Sequence, residues 1–387
     1  MGRAAKINRW KDSTVTIPST FALSTLELDK LAQDILSKTP ELRAAPLSAE
    51  SGSTGPRSVL ITGGAGFLGV HLLQEVLKRK DFGQVYLLVR RPHTLASAMS
   101  RYGISEQLLS NVTVVPGDLT DMDLGELPQV DVVIHSAARI HGLKSLKQLW
   151  KDNVEATVRL MKRYQGNAEI HFISTLSVFV SSNKEGVHFP RSLKPSEQYR
   201  MYGGYAQSKY VCERLMEAAG AYIVRLGLLT GSNYLGVFPE NDFFSVFLRT
   251  MKKLGSRPAD TQDAYVDITP VNRAAEYIMR YVKDVQREPF THIANFVPCS
   301  CHMLCEMMQL NTVSVDEFKS MLTSLSRIEQ ILLTYAFFKQ EAVQAHPDYF
   351  NIDLFQTTGH HYGLPWLMND TDRNVISLYL SVLGTSP

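Results

Sequence analysis

Tyr205 and Lys209 stand four residues apart in Tyr205-Ala-Gln-Ser-Lys209, at the opening of a helical pattern. That spacing puts both side chains on one helix face. An ammonium held beside a phenol stabilises the phenolate and lowers its pKa towards the working range of a general acid. Upstream, Ser174-Thr175 closes an apolar run, where side chains of a parallel strand project over the carboxyl edge of the sheet. The Thr175 hydroxyl can donate to a carbonyl oxygen as negative charge builds there. A bare Tyr-x-x-x-Lys often recurs by chance as an exposed helical pair. Its place after a strand ending in Ser-Thr is what points to acid–base work at a carbonyl, with Thr175, Tyr205 and Lys209 as the catalytic set.

The partner such a site needs is announced at Ile61-Thr-Gly-Gly-Ala-Gly-Phe-Leu-Gly69, directly after an apolar strand. Gly63, Gly66 and Gly69 let the backbone turn tightly and approach a pyrophosphate. Phe67 and Leu68 open a helix whose unpaired N–H groups and positive dipole end favour that anion. The next strand, Val85–Val89, ends in Arg90-Arg91, where an NAD-preferring site would place a carboxylate. Two cations suit a ribose 2′-phosphate, so NADPH is the expected cofactor. In Gly117-Asp118-Leu119 the carboxylate can accept from an adenine amino group. The small Ser136, Ala137 and Ala138 would let the cofactor lie against the tip of the fourth strand. Asn153 reads as an amide on a helix facing the site, Ser174 as a contact at the strand end, and the Lys209 ammonium as a holder of the nicotinamide ribose, beside Tyr205.

These motifs sit on alternating strands and helices. Strands are expected at 58–62, 84–89, 111–115, 131–135, 169–174 and 221–226, and helices near 67–80, 143–165 and 204–218. Continuously apolar strands alternating with helices imply a doubly wound parallel α/β sheet, the Rossmann arrangement, covered on both faces. After Gly231 the rhythm changes, with a helix near 243–253, a helix at 271–283 and a strand at 292–297. From Leu304 the chain reads as mainly helical. The expected domains are an N-terminal extension at 1–56, a dinucleotide-binding body at 57–227 with a return segment at 270–297, and a smaller C-terminal lobe from 228–269 and 298–387. Within the extension, Ser24-Thr25 precedes an amphipathic run (Leu26, Leu28, Leu31, Ile35, Leu36), and 47–58 reads as a flexible linker.

With 44% hydrophobic and 20% charged residues and a net charge of +2, composition gives no case for nucleic acid or an anionic membrane as partner. No run approaches the ~20 apolar residues of a membrane span, and the expected location is the cytoplasm. Of the four cysteines, Cys299, Cys301 and Cys305 cluster around His302, which raises zinc. No second Cys/His pair stands at finger-like spacing, so they read as small buried hydrophobes and no metal is expected.

On these residues the chain resembles the extended short-chain dehydrogenase/reductases, and within them the thioester reductase branch that releases products from peptide and polyketide assembly lines. The resemblance covers about 59–300 well. Arg225-Leu-Gly-Leu-Leu-Thr-Gly231, Gly236 with Asn241-Asp242, Leu254–Pro258 and Thr269-Pro-Val271 look like that branch's passage into its substrate lobe. So does Phe355…Gly363-Leu-Pro365 with the helix after it. The tail departs at Cys299–Cys305 and at a helix over 323–345. The resemblance implies a Thr175–Tyr205–Lys209 triad and a phosphate-binding Arg90. It further implies NADPH reduction of an acyl thioester, presented on the phosphopantetheine arm of a carrier protein, to an aldehyde or then a primary alcohol, by a monomer. The alternatives are a fatty acyl-CoA reductase, a ketone or alcohol oxidoreductase of the same superfamily, and a non-catalytic NADPH sensor. The intact triad argues against the last.

Overall fold

Val59 and Ile61 pack on one side of their strand while Leu60 packs on the other, the period-2 alternation of a strand with no solvent face. The computed structural model describes residues 17–18, 22–43, 56–142, 144–179, 187–188, 199–259, 265–295, 299–338, 355–356, 361–362 and 373–383. Nine strands matter here: β1 (Ala22–Ser24), β2 (Arg57–Thr62), β3 (Phe82–Val89), β4 (Thr113–Pro116), β5 (Val132–His135), β6 (Glu169–Thr175), β7 (Arg200–Tyr202), β8 (Tyr222–Leu226) and β9 (Phe290–Ile293). The helices used below are α1 (Thr25–Lys38), α2 (Phe67–Arg79), α3 (Ala156–Tyr164), α4 (Gly204–Ala218), α5 (Phe243–Leu254) and α6 (Val271–Lys283).

Seven strands form one parallel sheet in the order β9-β8-β6-β5-β2-β3-β4. The winding reverses between β2 and β5, so the ligand crevice of such a sheet lies at their carboxyl ends. One face is covered by α1, α3 and α4 over Leu60, Val133 and Phe172, the other by α2 and α6 over Val59, Ile61 and Ile134. The doubly wound architecture is therefore as the sequence implied. The expected helix over 143–165 is instead divided: Leu146–Leu149, a π-helical turn at Trp150–Glu155, then α3. The last strand is Phe290–Ile293 rather than 292–297, and 296–298 lie outside the described residues.

A third apolar cluster gathers α5 and the helices Cys301–Met307, Val315–Leu322, Arg327–Phe337 and Arg373–Val382. Cys299, Cys301 and Cys305 are fully buried in it. The expected helix over 323–345 runs from Arg327 to Phe337, and 339–345 lie outside the described residues, as do 47–55 of the linker and 363–372 before the last helix. That last helix docks on the segment after β8, the crossing from the sheet into this cluster, where the Tyr379 hydroxyl meets Thr230 Oγ1 (3.0 Å) and donates to Gly231 O (2.6 Å). Asp267 pins the crossing: its carboxylate accepts from Leu228 N (3.0 Å) and Thr269 Oγ1 (2.9 Å), and burial pushes its pKa up to about 7. No described helix is long and apolar enough to cross a membrane.

Candidate active site

The glycine turn has no room for side chains. Gly63 has φ +73°, and a Cβ there would lie 2.9 Å from the Ala137 backbone; one on Gly69 would lie 2.2 Å from Gly63 O. Gly66 N donates to Gly63 O (2.9 Å) and begins α2 with no side-chain cap. The first-turn N–H groups at Phe67, Leu68 and Gly69 have no intrahelical acceptor, which makes this helix start an anion site. The turn fits the pyrophosphate of a dinucleotide, because its glycines keep the backbone bare where a phosphate would approach.

The residues expected to meet the adenosine end follow the next two strands. Arg90 and Arg91 are exposed after β3, and Arg90 Nη1 stands 3.6 Å from Asp118 Oδ2. Such an exposed pair contributes little to stability and leaves the guanidinium able to turn to another anion. Asp118 Oδ1 accepts from Thr120 N (3.0 Å), and Leu119 is buried beneath.

At the tip of β5, Ala137 N donates to Thr62 Oγ1 (3.1 Å), Thr62 Oγ1 meets His135 Nδ1 (2.8 Å) and His135 Nε2 meets Thr157 Oγ1 (3.0 Å). Burial pushes the His135 pKa down to about 3, so its ring is neutral. With the ring proton assigned to Nε2, every group in the chain has a partner. This relay holds half-buried Ser136, Ala137 and Ala138 beside the glycine turn.

Asn153 sits in the π-helical turn and clamps the same loop. Its Oδ1 accepts from Arg139 N (2.7 Å), and its Nδ2 donates to Arg139 O (3.1 Å) and to Ser208 Oγ (2.9 Å). Ser208 Oγ in turn donates to Tyr205 O (2.7 Å). The amide thus acts one layer back: both of its hydrogens are engaged within the protein, tying the loop to the helix of Tyr205. A π turn at such a point is a common mark of a functional site.

Tyr205 lies in the first turn of α4 and is half-buried; burial raises its pKa above the usual phenol range. The sequence expectation that Lys209 lowers it is not met in this structure. Lys209 is fully enclosed, donates to Ile173 O (2.7 Å) and lies 4.5 Å from the centre of the Phe172 ring. Desolvation brings its pKa down to about 8, against the pull of Cys212 and Glu213. The lysine is therefore anchored to β6, two residues before Thr175. Thr175 Oγ1 donates to Ser177 Oγ (3.0 Å) and accepts from Ser177 N (3.1 Å), so a bound carbonyl would compete with Ser177 for its proton.

Ser174 faces away from this group. Its hydroxyl donates to Glu213 Oε1 (2.5 Å), and Glu213 is paired with Arg225 through Nε (3.0 Å) and Nη2 (2.7 Å). Arg225 lies against the Phe179 and Phe290 rings at 4.7 and 4.9 Å. The network fastens β6, α4 and β8 directly beneath the triad. Sequence reasoning missed it, although a signal existed: an arginine inside a continuously apolar strand must have a buried counter-charge, and Glu213 stands one turn beyond Lys209.

A family model described as Male sterility protein matches residues 61–278. The Aspergillus fumigatus nonribosomal peptide synthetase-like enzyme fsqF is 28% identical over 265 residues, covering 61% of this chain and 18% of that protein. Among solved structures, the terminal R domain from the myxalamid PKS-NRPS pathway superposes with TM-score 0.69 at 23% identity, covering 93% of this chain and 97% of that one. A thiolation-reductase di-domain from an archaeal nonribosomal peptide synthetase gives TM-score 0.68 at 22% identity, covering 85% and 75%. The chain spans about a fifth of the length of the curated relatives it matches. With a glycine turn whose backbone is left bare for the phosphates of an NAD(P)-type dinucleotide, the chain belongs to the Male sterility protein family of extended short-chain dehydrogenase/reductases.

Proposed function

We propose that this chain is an NADPH-dependent reductase of acyl thioesters carried on the phosphopantetheine arm of a carrier protein. The observation that carries the reading is the Lys209 Nζ–Ile173 O bond, which joins the Tyr–Lys helix face to the strand ending in Thr175. The relatives, which include a terminal R domain and a thiolation-reductase di-domain, support the substrate class. NADPH, when bound, supplies a hydride to the thioester carbonyl carbon. Gly63, Gly66, Gly69 and the start of α2 hold its pyrophosphate, and Arg90 and Arg91 its 2′-phosphate. Thr175 and Tyr205 donate hydrogen bonds to the carbonyl oxygen, and the Tyr205 proton passes to the oxyanion. As the C–S bond of this hemithioacetal breaks, its hydroxyl proton returns to the Tyr205 phenolate and the departing thiolate takes a proton from solvent, giving thiol and aldehyde; a second round gives the primary alcohol. Incubation with NADPH and matched carrier-bound acyl, acyl-CoA and ketone substrates tests the class. Oxidation confined to the acyl-CoA or ketone arm would replace it.

Two outcomes follow from the charges. In this reading the Lys209 ammonium holds the nicotinamide ribose, and that charge is lost as pH rises through about 8, so kcat is expected to fall above pH 8 with a single ionisation. A profile flat to pH 10 would remove the lysine from the mechanism. Replacing both arginines, Arg90→Ser with Arg91→Ser, is expected to raise KM for NADPH about 10–100-fold, the worth of a charge-assisted contact. KM for NADH should stay unchanged, and steady-state kinetics with each cofactor checks it.

A further inference from the structure

We infer that the N-terminal strand β1 and the start of α1 are a positioning element for the acid of the site, Tyr205. This inference rests on the reductase reading above. Strand β7 ends three residues before Tyr205, and among the described residues it pairs with β1 alone, antiparallel: Ala22 opposite Tyr202, Leu23 opposite Met201, Ser24 opposite Arg200. The ladder continues outward, with Thr25 N donating to Tyr199 O (2.9 Å) and Tyr199 N to Thr25 Oγ1 (3.4 Å). A two-stranded ribbon is marginal by itself. This one is held because Leu23 and Met201 are buried in the cluster that also holds α1 and α4.

From that ribbon, contacts reach both halves of the triad. Gln207 Nε2, in the first turn of α4, donates to Met201 O (2.8 Å). The Tyr199 hydroxyl donates to Val178 O, in the turn that follows Thr175. Gly203, at φ +78°, then turns the chain into α4; Gly204 N donates to Lys144 O (3.0 Å), and a Cβ on Gly204 would lie 2.2 Å from the Ser145 carbonyl carbon. The backbone before Tyr205 is therefore gripped between the segment Lys144–Ser145 on one side and β1 on the other. A second anchor lies one turn along: Asp29 Oδ1 accepts from the hydroxyl of Tyr210, the neighbour of Lys209, at 2.9 Å, and forms an ion pair with Arg214, whose Nε stands 3.2 Å away. Residues 22–29 thus fix where the phenol stands relative to Thr175, although they are distant in sequence from every motif of the site.

The test uses the full chain with Leu23→Asp, which puts a charge into the ribbon, and Asp29→Ala, which removes the second anchor and leaves the ladder intact. Three quantities are read: kcat on a carrier-bound thioester, NADPH affinity by fluorescence, and amide hydrogen exchange. Leu23→Asp is expected to lower kcat about 10²-fold, the loss that a shift of ~1 Å brings, and Asp29→Ala about 10-fold. NADPH affinity should be unchanged in both; exchange should quicken at 22–30 and 199–205 in Leu23→Asp and at 26–30 in Asp29→Ala, while β2, β5 and β6 keep their protection. Unchanged exchange at 199–205 in Leu23→Asp would overturn the inference. So would normal kcat despite quickened exchange there, or loss of protection across the whole sheet in both variants. Should the chain reduce no thioester, the reductase reading fails on the kcat arm, while exchange and NADPH binding still report on the brace.

Discussion

Tyr205→Phe is expected to lower kcat by about 10²–10⁴-fold, the contribution of a positioned general acid, with NADPH affinity retained. The phenol is half-buried, and burial holds its proton on at neutral pH, the state an acid must start from. The substitution removes one oxygen and keeps the ring, so α4 and its bonds through Ser208 and Lys209 stay in place. What should remain is the rate given by holding the thioester beside the hydride donor, with Thr175 as the only donor to the oxyanion. Single-turnover NADPH oxidation and fluorescence titration of NADPH separate the two effects. Full turnover in Tyr205→Phe would remove the phenol from the mechanism.

The largest expected effect on stability lies beneath the site. Glu213→Ala should cost ~3–5 kcal/mol, because it leaves the enclosed Arg225 guanidinium without its counter-charge. Arg225 is 1% exposed and bonded twice to that carboxylate, with Ser174 satisfying a third position on it. Glu213→Ala combined with Arg225→Met should recover much of the loss, since a buried ion pair stabilises little beyond an apolar replacement. Urea unfolding of the single and double variants decides. A single-variant cost under ~1 kcal/mol, the range of an exposed pair, would show that the network is not needed for the fold.

How far the sequence alone carries follows from which interactions are local. The glycine turn was legible because its spacing is local: Gly69 is forced by Gly63 O and Gly63 by its positive φ, although the wall Gly63 also meets, Ala137, comes from a distant strand end. The strand–helix alternation was legible because period-2 and helical patterns are short-range. The acceptor of the lysine was not legible, because four-residue spacing fixes a helix face and not what lies beyond it; Lys209 found Ile173 O across the β6–α4 packing. The partners of Asn153 and Ser174 were not legible either, because their hydrogen bonds turn inward to Arg139, Ser208 and Glu213, all distant in sequence. The pairing of β1 with β7 joins residues with no pattern in common, so the extension gave no sign of reaching the site.

The most direct test follows the hydride. With NADPH carrying deuterium at the transferred position of C4 and a carrier-bound acyl thioester, the released aldehyde should carry one deuterium at C1, by mass spectrometry, at a rate that Tyr205→Phe lowers sharply. An aldehyde formed without deuterium, or thioester hydrolysed to acid with NADPH untouched, would contradict the account.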